Sequence, residues 1–270
     1  MTIAALFPEK IGRMVLDGNV NPYQYYHNSY VDYYPNTDSV FSIFCSACVA
    51  TPELCALAQN QSALELENEL LDLFDQLKFH PLPVSFPHGE GAVVDYSFVI
   101  SSVYAALYEP TFWTGLSVIL AGLLTGDTSL IPESMLIPVT AADALSGIRC
   151  GDNRIRVSSP SALDSAVNAT EAESPIFGGT SVPLYYTCAQ WPFLAKGNFT
   201  WSAGELPLRL KRPALLIGNS HDPVTPLANA VSNSAILEGS VVLQHGGVGV
   251  STLDRISLLR RLLNGADDVS

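Results

Sequence analysis

The chain has 270 residues, 48% of them hydrophobic, so it is long enough to bury a sizeable core, and wholesale disorder is excluded. Only 14% of the residues are charged, yet 26 acids face 13 bases, a formal charge of −13. Nucleic-acid binding is therefore not expected, because phosphate recognition rests on clustered Lys and Arg.

Taken in chain order, Met1–Phe7 is apolar but lacks a basic leader, and Pro8, Glu9 and Lys10 interrupt it before a secretory signal could form. This stretch reads as the end of a helix. A short turn follows, and then a buried strand, Arg13–Asp17, stopping at the Asp17-Gly18 corner. From Asn21 to about Leu145 the pattern is helical, opening on an aromatic stretch with Tyr23, Tyr25, Tyr26, Tyr30, Tyr33 and Tyr34, read as core or lid packing in preference to the lining of a substrate pocket. Ser62 and Glu65 form a capping box for a helix reaching Lys78, whose Leu66, Leu70, Leu73, Phe74 and Leu77 share one face. The segment His80–His88 is Pro-rich and reads as a loop, followed by apolar helices around Tyr96–Leu107 and Phe112–Leu124. The apolar run Trp113–Leu124 has twelve residues, against roughly 20 for a membrane-spanning helix, so no span is expected.

After about Gly147 the pattern turns to strand, helix, strand, helix. Pro213–Gly218 is a buried strand, Pro226–Glu238 a helix ended by Gly239, and Ser240–Gln244 a strand. A Gly-rich loop then enters a final helix with Leu253, Ile256, Leu259 and Leu263 on one face. This order implies a parallel sheet with right-handed crossovers. Three sequons, at Asn60, Asn168 and Asn198, and five cysteines point to a glycosylated protein with a secretory history. Cys45 and Cys48 form a C-x-x-C, but no second ligand pair follows at metal spacing, so neither a metal nor a cofactor is expected. The pairing expected is Cys48 with Cys55 and Cys150 with Cys188, though the sequence leaves the connectivity open.

In α/β sheets the chemistry gathers at the carboxyl ends of the strands. There, Gly218-Asn-Ser-His-Asp-Pro-Val-Thr-Pro226 fixes Asp222 between a strand end and a proline-bounded turn. The string Pro213–Pro226 (PALLIGNSHDPVTP), with Phe7–Pro22 (FPEKIGRMVLDGNVNP), Ile148–Asp152 (IRCGD) and Thr187–Phe193 (TCAQWPF), resembles the tripeptidyl-aminopeptidase-like branch of the α/β-hydrolase serine peptidases and esterases, especially fungal members. The resemblance implies the carboxyl-terminal part of an α/β-hydrolase parallel sheet with a large helical lid insertion. Residues 1–22 and 146–270 would form the partial core and 23–145 the lid. It also implies a Ser-Asp-His triad acting on peptide or ester bonds, with Asp222 as the acid that orients the imidazole.

The resemblance then meets two departures. The family's histidine position falls on Val250, which cannot accept a proton, and a general base is worth about 10²–10⁴ in rate. No Gly-x-Ser-x-Gly occurs in the chain; by the family pattern that elbow would lie just upstream of Met1, together with half of the oxyanion hole. His245, five positions before Val250, is the one substitute base within reach of Asp222. His27, His80 and His88 read as structural, Asp17 as a turn cap, and the run Ser220-His221-Asp222 as a coincidence of neighbours. The expectation is a hydrolase chain that retains the triad acid and is inactive by itself. The alternative is a non-catalytic relative that binds a small molecule or peptide, for example in fungal secondary metabolism. The strand Arg13–Asp17 would then be an open edge, through which a second copy or a partner chain pairs.

Overall fold

The computed structural model describes residues 1–86, 91–136, 141–197, 199 and 207–250. Three parallel strands form the sheet that carries the site: β1 (Val15–Asp17), β4 (Leu215–His221) and β5 (Val241–Val248), in the order β1-β4-β5. Helix α11 (Leu227–Ile236) makes the crossover from β4 to β5, and Gly239 (φ 73°) turns the chain into β5. Gly218 allows α11 to lie close on β4, since a Cβ there would stand 3.2 Å from the Cα of Leu227. A small core of Ala4, Ala214, Leu216, Ala230 and Leu237 joins α1 (Thr2–Leu6), the sheet and α11.

The rest is helical. Helices α2 (Pro22–Tyr26), α3 (Thr37–Ala50) and α4 (Ala63–Phe79) precede a small antiparallel sheet of β2 (Leu82–Ser85) and β3 (Gly91–Val94). Helices α5 (Tyr96–Leu107), α6 (Trp113–Leu124), α7 (Glu133–Leu136), α8 (Ala141–Asp152), α9 (Asp164–Glu173) and α10 (Val182–Ala189) follow. The capping box starts α4 as its sequence dictates: the Glu65 backbone N–H donates to Ser62 Oγ at 3.3 Å, and the Ser62 backbone N–H donates to the Glu65 carboxylate at 2.7 Å. Leu66, Leu70, Leu73, Phe74 and Leu77 are all buried on its inner face. They meet Phe41 and Phe44 of α3, Leu107 of α5, Leu120 of α6, and Phe177 and Tyr185 in one apolar core. That core draws Leu163, Phe177, Tyr185 and Ala189 from beyond position 145 as well as residues before it. Among the described residues no helix is long and apolar enough to cross a membrane.

Disulfides join Cys48 to Cys55 and Cys150 to Cys188, with Cα separations of 5.2 and 4.5 Å. The second staples α8 to α10. Cys45 stays a buried thiol, and burial pushes its pKa up to about 12, so it is inert at neutral pH.

Three local readings need correction. The Pro-rich segment is not all loop: Leu82–Ser85 pairs with Gly91–Val94, burying Val84 and Val94. Pro83 is tolerated because each strand of a two-stranded ribbon has an open side where no N–H is needed. The glycine-rich stretch after Gln244 is likewise strand, since β5 runs on through Gly246 and Gly247 to pair Val248 with His221. Finally, β1 is shorter and less buried than its composition suggests, with Arg13 outside it and Val15 37% exposed. The expected last helix, with Leu253, Ile256, Leu259 and Leu263, lies outside the described residues, as does His88.

Candidate functional site

Asp222 follows the last residue of β4 and is fully buried. Its carboxylate is fixed by its own turn. Oδ1 accepts from the backbone N–H groups of Val224 at 2.9 Å and Thr225 at 2.7 Å, and Oδ2 accepts from the Thr225 hydroxyl at 2.7 Å. The turn is held from the helical side, where the Thr37 hydroxyl at the start of α3 donates to the Pro223 carbonyl at 2.6 Å. Burial dominates the electrostatics and raises the Asp222 pKa from 3.8 to about 6; the three hydrogen bonds oppose the rise, and the charge of Asp17 adds to it.

Asp17 ends β1, beside β4. Gly18 after it is left-handed (φ 67°), and a Cβ there would lie 3.5 Å from Thr225 Oγ1 and 3.7 Å from Val250 Cγ1. Both the acid's turn and the half-buried Val250 thus border the same corner. Val250 is placed by its backbone N–H, which donates to the Tyr108 carbonyl at 2.9 Å, while the Gly249 N–H donates to the His221 carbonyl at 3.0 Å. Gly249 (φ 103°) has no room for a side chain, since a Cβ would stand 2.7 Å from the Tyr108 carbonyl oxygen. Tyr108 also feels the Asp222 charge, and burial first of all raises its phenol pKa.

His245 is not at a strand end but inside β5, opposite Asn219 of β4. Its Nδ1 lies 2.8 Å from Asn219 Oδ1, and Asn219 in turn donates to the Gly249 carbonyl at 2.6 Å. Since the hydrogen bonds of Asp222 all fall within its own turn, the two side chains are not hydrogen-bonded to each other. Ser220 faces the other way: its hydroxyl donates to the His245 carbonyl at 3.2 Å and accepts from Gln244 at 2.9 Å. His27 stacks on Tyr23, and His80 caps the exposed end of α4. Among the described residues no group of His, Cys, Asp or Glu is arranged to hold a metal ion.

The sequence reading did not single out Arg149, Tyr33 or Asn233 as functional. All three line a cavity of about 280 Å³ at the carboxyl end of β1, which Leu16 and Asp17 also border. Arg149 lies in the IRCGD string, whose Cys150 is bonded to α10, and Tyr33 in the aromatic stretch; Asn233 carried no signal.

Residues 174–257, which include Asp222, Val250 and the two strands between which the acid's turn lies, match the family described as TAP-like protein. The chain is 24% identical over 258 residues to serine protease Hip1 of Mycobacterium tuberculosis, an alignment covering 89% of this chain and 48% of that protein. Serine protease Hip1 of Mycobacterium bovis matches to the same extent. The chain spans about half the length of the curated relatives it matches. The parallel sheet and these similarities agree on an α/β-hydrolase, TAP-like character for the segment that carries Asp222.

Proposed function

We propose that this chain is the acid-bearing part of a TAP-like serine hydrolase of the peptidase or esterase type, and that these 270 residues hydrolyse nothing by themselves. The observation that carries the reading is Asp222, buried at the carboxyl end of a central parallel strand and fixed by three hydrogen bonds, with Val250 rather than a histidine at its corner. A triad acid needs that fixed direction, because it orients an imidazole and stabilises its protonated form. No Gly-x-Ser-x-Gly accompanies it in these residues. In this reading the helices between β1 and β4 act as the lid over a small-molecule or peptide substrate. The two disulfides and the sequons fit an oxidising, secretory compartment.

A fluorophosphonate probe tests it directly. The purified chain is expected to stay unlabelled, whereas labelling that Asp222→Ala abolishes would show a working nucleophile and base and overturn the inactivity.

The same reading makes β1 a pairing edge. Among the described residues β4 is its sole strand neighbour, and Ile3, Leu6 and Phe7 in the segment that precedes it are 59%, 49% and 43% exposed. Such an edge invites a second chain. Sedimentation should reveal self-association that Val15→Lys weakens; a monodisperse monomer at high concentration refutes it.

A further inference from the structure

The bases of this acidic chain are gathered rather than scattered. Five of its 13, Lys10, Arg13, Arg209, Lys211 and Arg212, are exposed on the short segments that lead into β1 and β4. The sheet holds them at one end. Val15 pairs with Leu215 in parallel register, so Arg13 and Arg212, just before that pair, both lie at the amino end of the sheet. The Leu208 carbonyl, next to Arg209, accepts from the Glu238 N–H at 2.9 Å beside the turn into β5, which carries the row across to the third strand. Two exposed acids, Glu9 and Glu238, share this end, and among the described residues Arg13, Arg209, Lys211 and Arg212 form no ion pair.

An apolar tip accompanies these charges. Helix α1 starts near the other end, where Thr2 and Tyr26 share a hydrogen bond of 2.9 Å and Thr2 borders, with Asp17, the hollow at the carboxyl end of β1. Its Ala4 is buried with Ala214 and Leu216, so α1 lies along β4 and runs toward the amino end. It delivers Leu6 and Phe7 there with Ile3 one turn behind, and all three are exposed. The Lys10 ammonium lies over the Phe7 ring, 4.8 Å from its centroid, which joins the apolar tip to the cations. Cations flanking exposed Leu and Phe are the arrangement of a surface that rests in a lipid headgroup layer, where phosphates meet the charges and acyl chains receive the apolar tip. An acidic peptide or a nucleic acid would neutralise the same cations and leave Ile3, Leu6 and Phe7 in water.

We propose that the amino end of this sheet docks on a bilayer that carries anionic lipid headgroups. Lys10, Arg13, Arg209, Lys211 and Arg212 meet the headgroup phosphates, and Leu6 and Phe7 enter the acyl boundary. The net charge of −13 sets the orientation, because the rest of the surface is repelled by the same lipid. Asp222, beyond the opposite end of β4, then faces away from the membrane. The surface is independent of hydrolysis, and it uses side chains that flank β1 rather than the edge of the strand itself.

Vesicle flotation of the full chain tests it, with phosphatidylcholine vesicles containing about 30% phosphatidylglycerol against vesicles of phosphatidylcholine alone, at low salt. Binding to the anionic vesicles is expected, at least about tenfold tighter than to the neutral ones, and it should fade by about 0.5 M salt. Arg13→Glu with Arg212→Glu should weaken it by at least about twentyfold, and Phe7→Ser by about three- to tenfold. All three positions are exposed, so melting temperatures should stay within about 2 °C of the parent. Val15→Lys, which opposes pairing across β1, should bind the vesicles at least as well as the parent; loss of binding there would tie the effect to the paired edge and overturn the proposal. It is also overturned by no binding at millimolar lipid, by equal binding to both vesicles, or by charge-reversed and Phe7→Ser chains that bind as the parent does. Displacement from the vesicles by soluble polyglutamate at equal charge concentration would show an acidic chain as the occupant and likewise overturn it.

Discussion

Asp222 makes a quantitative claim on stability. Burial lifts its pKa from 3.8 to about 6, so the native state holds this proton more tightly than the unfolded chain does. The contribution of such a group to stability is fully present below pH 3.8 and is lost as pH rises through 6. At about 1.36 kcal/mol per pKa unit, the rise corresponds to about 3 kcal/mol lost by neutral pH. Asp222→Asn removes the charge and keeps the shape. The amide oxygen still accepts from the Val224 and Thr225 N–H groups, and the Thr225 hydroxyl can rotate to accept from the new NH₂. Loss of the charge-assisted bonds offsets part of the gain, which leaves a net stabilisation of about 1–3 kcal/mol at pH 8. For a chain of this size that is about 2–12 °C in melting temperature. The assay is urea unfolding of both proteins from pH 4 to pH 8, read as the difference between them so that the other carboxylates cancel. The variant should match or trail the parent at pH 4 and overtake it as pH rises through 6. A difference that stays flat with pH, or one that favours the parent on the alkaline side, would refute the reasoning. Asp222 would then be stably ionised in its native place.

Two further substitutions test the frame around the acid. Cys150→Ala with Cys188→Ala opens a loop of sequence separation 38 and should cost about 4 kcal/mol on the chain-entropy scale, against about 2.5 kcal/mol for Cys48→Ala with Cys55→Ala at separation 7. Denaturant midpoints under non-reducing conditions check that order, and the reverse order contradicts it. Val250→His should place an imidazole beside the Asp222 turn. NMR titration is expected to give that imidazole a pKa above the usual 6.5 or so, with the elevation lost when Asp222→Asn is added; an imidazole that titrates identically in both backgrounds would show that position 250 does not face the acid.

Much of this architecture is legible in the sequence where local chemistry and tertiary packing agree. Ser62 and Glu65 announce α4 because the capping box is complete within four residues and Leu66, Leu70, Leu73, Phe74 and Leu77 after it all face the core. Likewise β4, α11 and β5 stand out because a buried strand, a Pro start and a Gly stop follow in order. The failures are places where a distant partner decides. Gly246 and Gly247 carry no strand signal, yet β4 carries β5 past them, from the Asn219–His245 pair to the His221–Val248 pair. Pro83 suggests a loop, yet the partner strand leaves its missing N–H unneeded. Asp222 is legible as a fixed carboxylate, since its Thr225 partner is three positions away. The cavity of Arg149, Tyr33 and Asn233 is not, because α8, the aromatic stretch and α11 meet only through the fold.

The environment of Asp222 also bears on what Val250 means. Helical part and sheet are tied around this corner: Thr37 reaches Pro223, Asn229 of α11 donates to the Asp32 carbonyl at 3.1 Å, and Asn233 donates to that of Val20. With those bonds in place the carboxylate cannot swing out to solvent, and burial acts on it in full. In a triad the imidazolium compensates for that burial, so a desolvated acid is stabilised in the charged state it must keep. With valine in place of the base, the charge acting on Asp222 is that of another carboxylate, Asp17, and its proton is held to about pH 6. The rigidity that suits Asp222 to orient a histidine therefore makes it a destabilising residue at neutral pH when no histidine is present. That cost is what Asp222→Asn removes and what Val250→His should exploit.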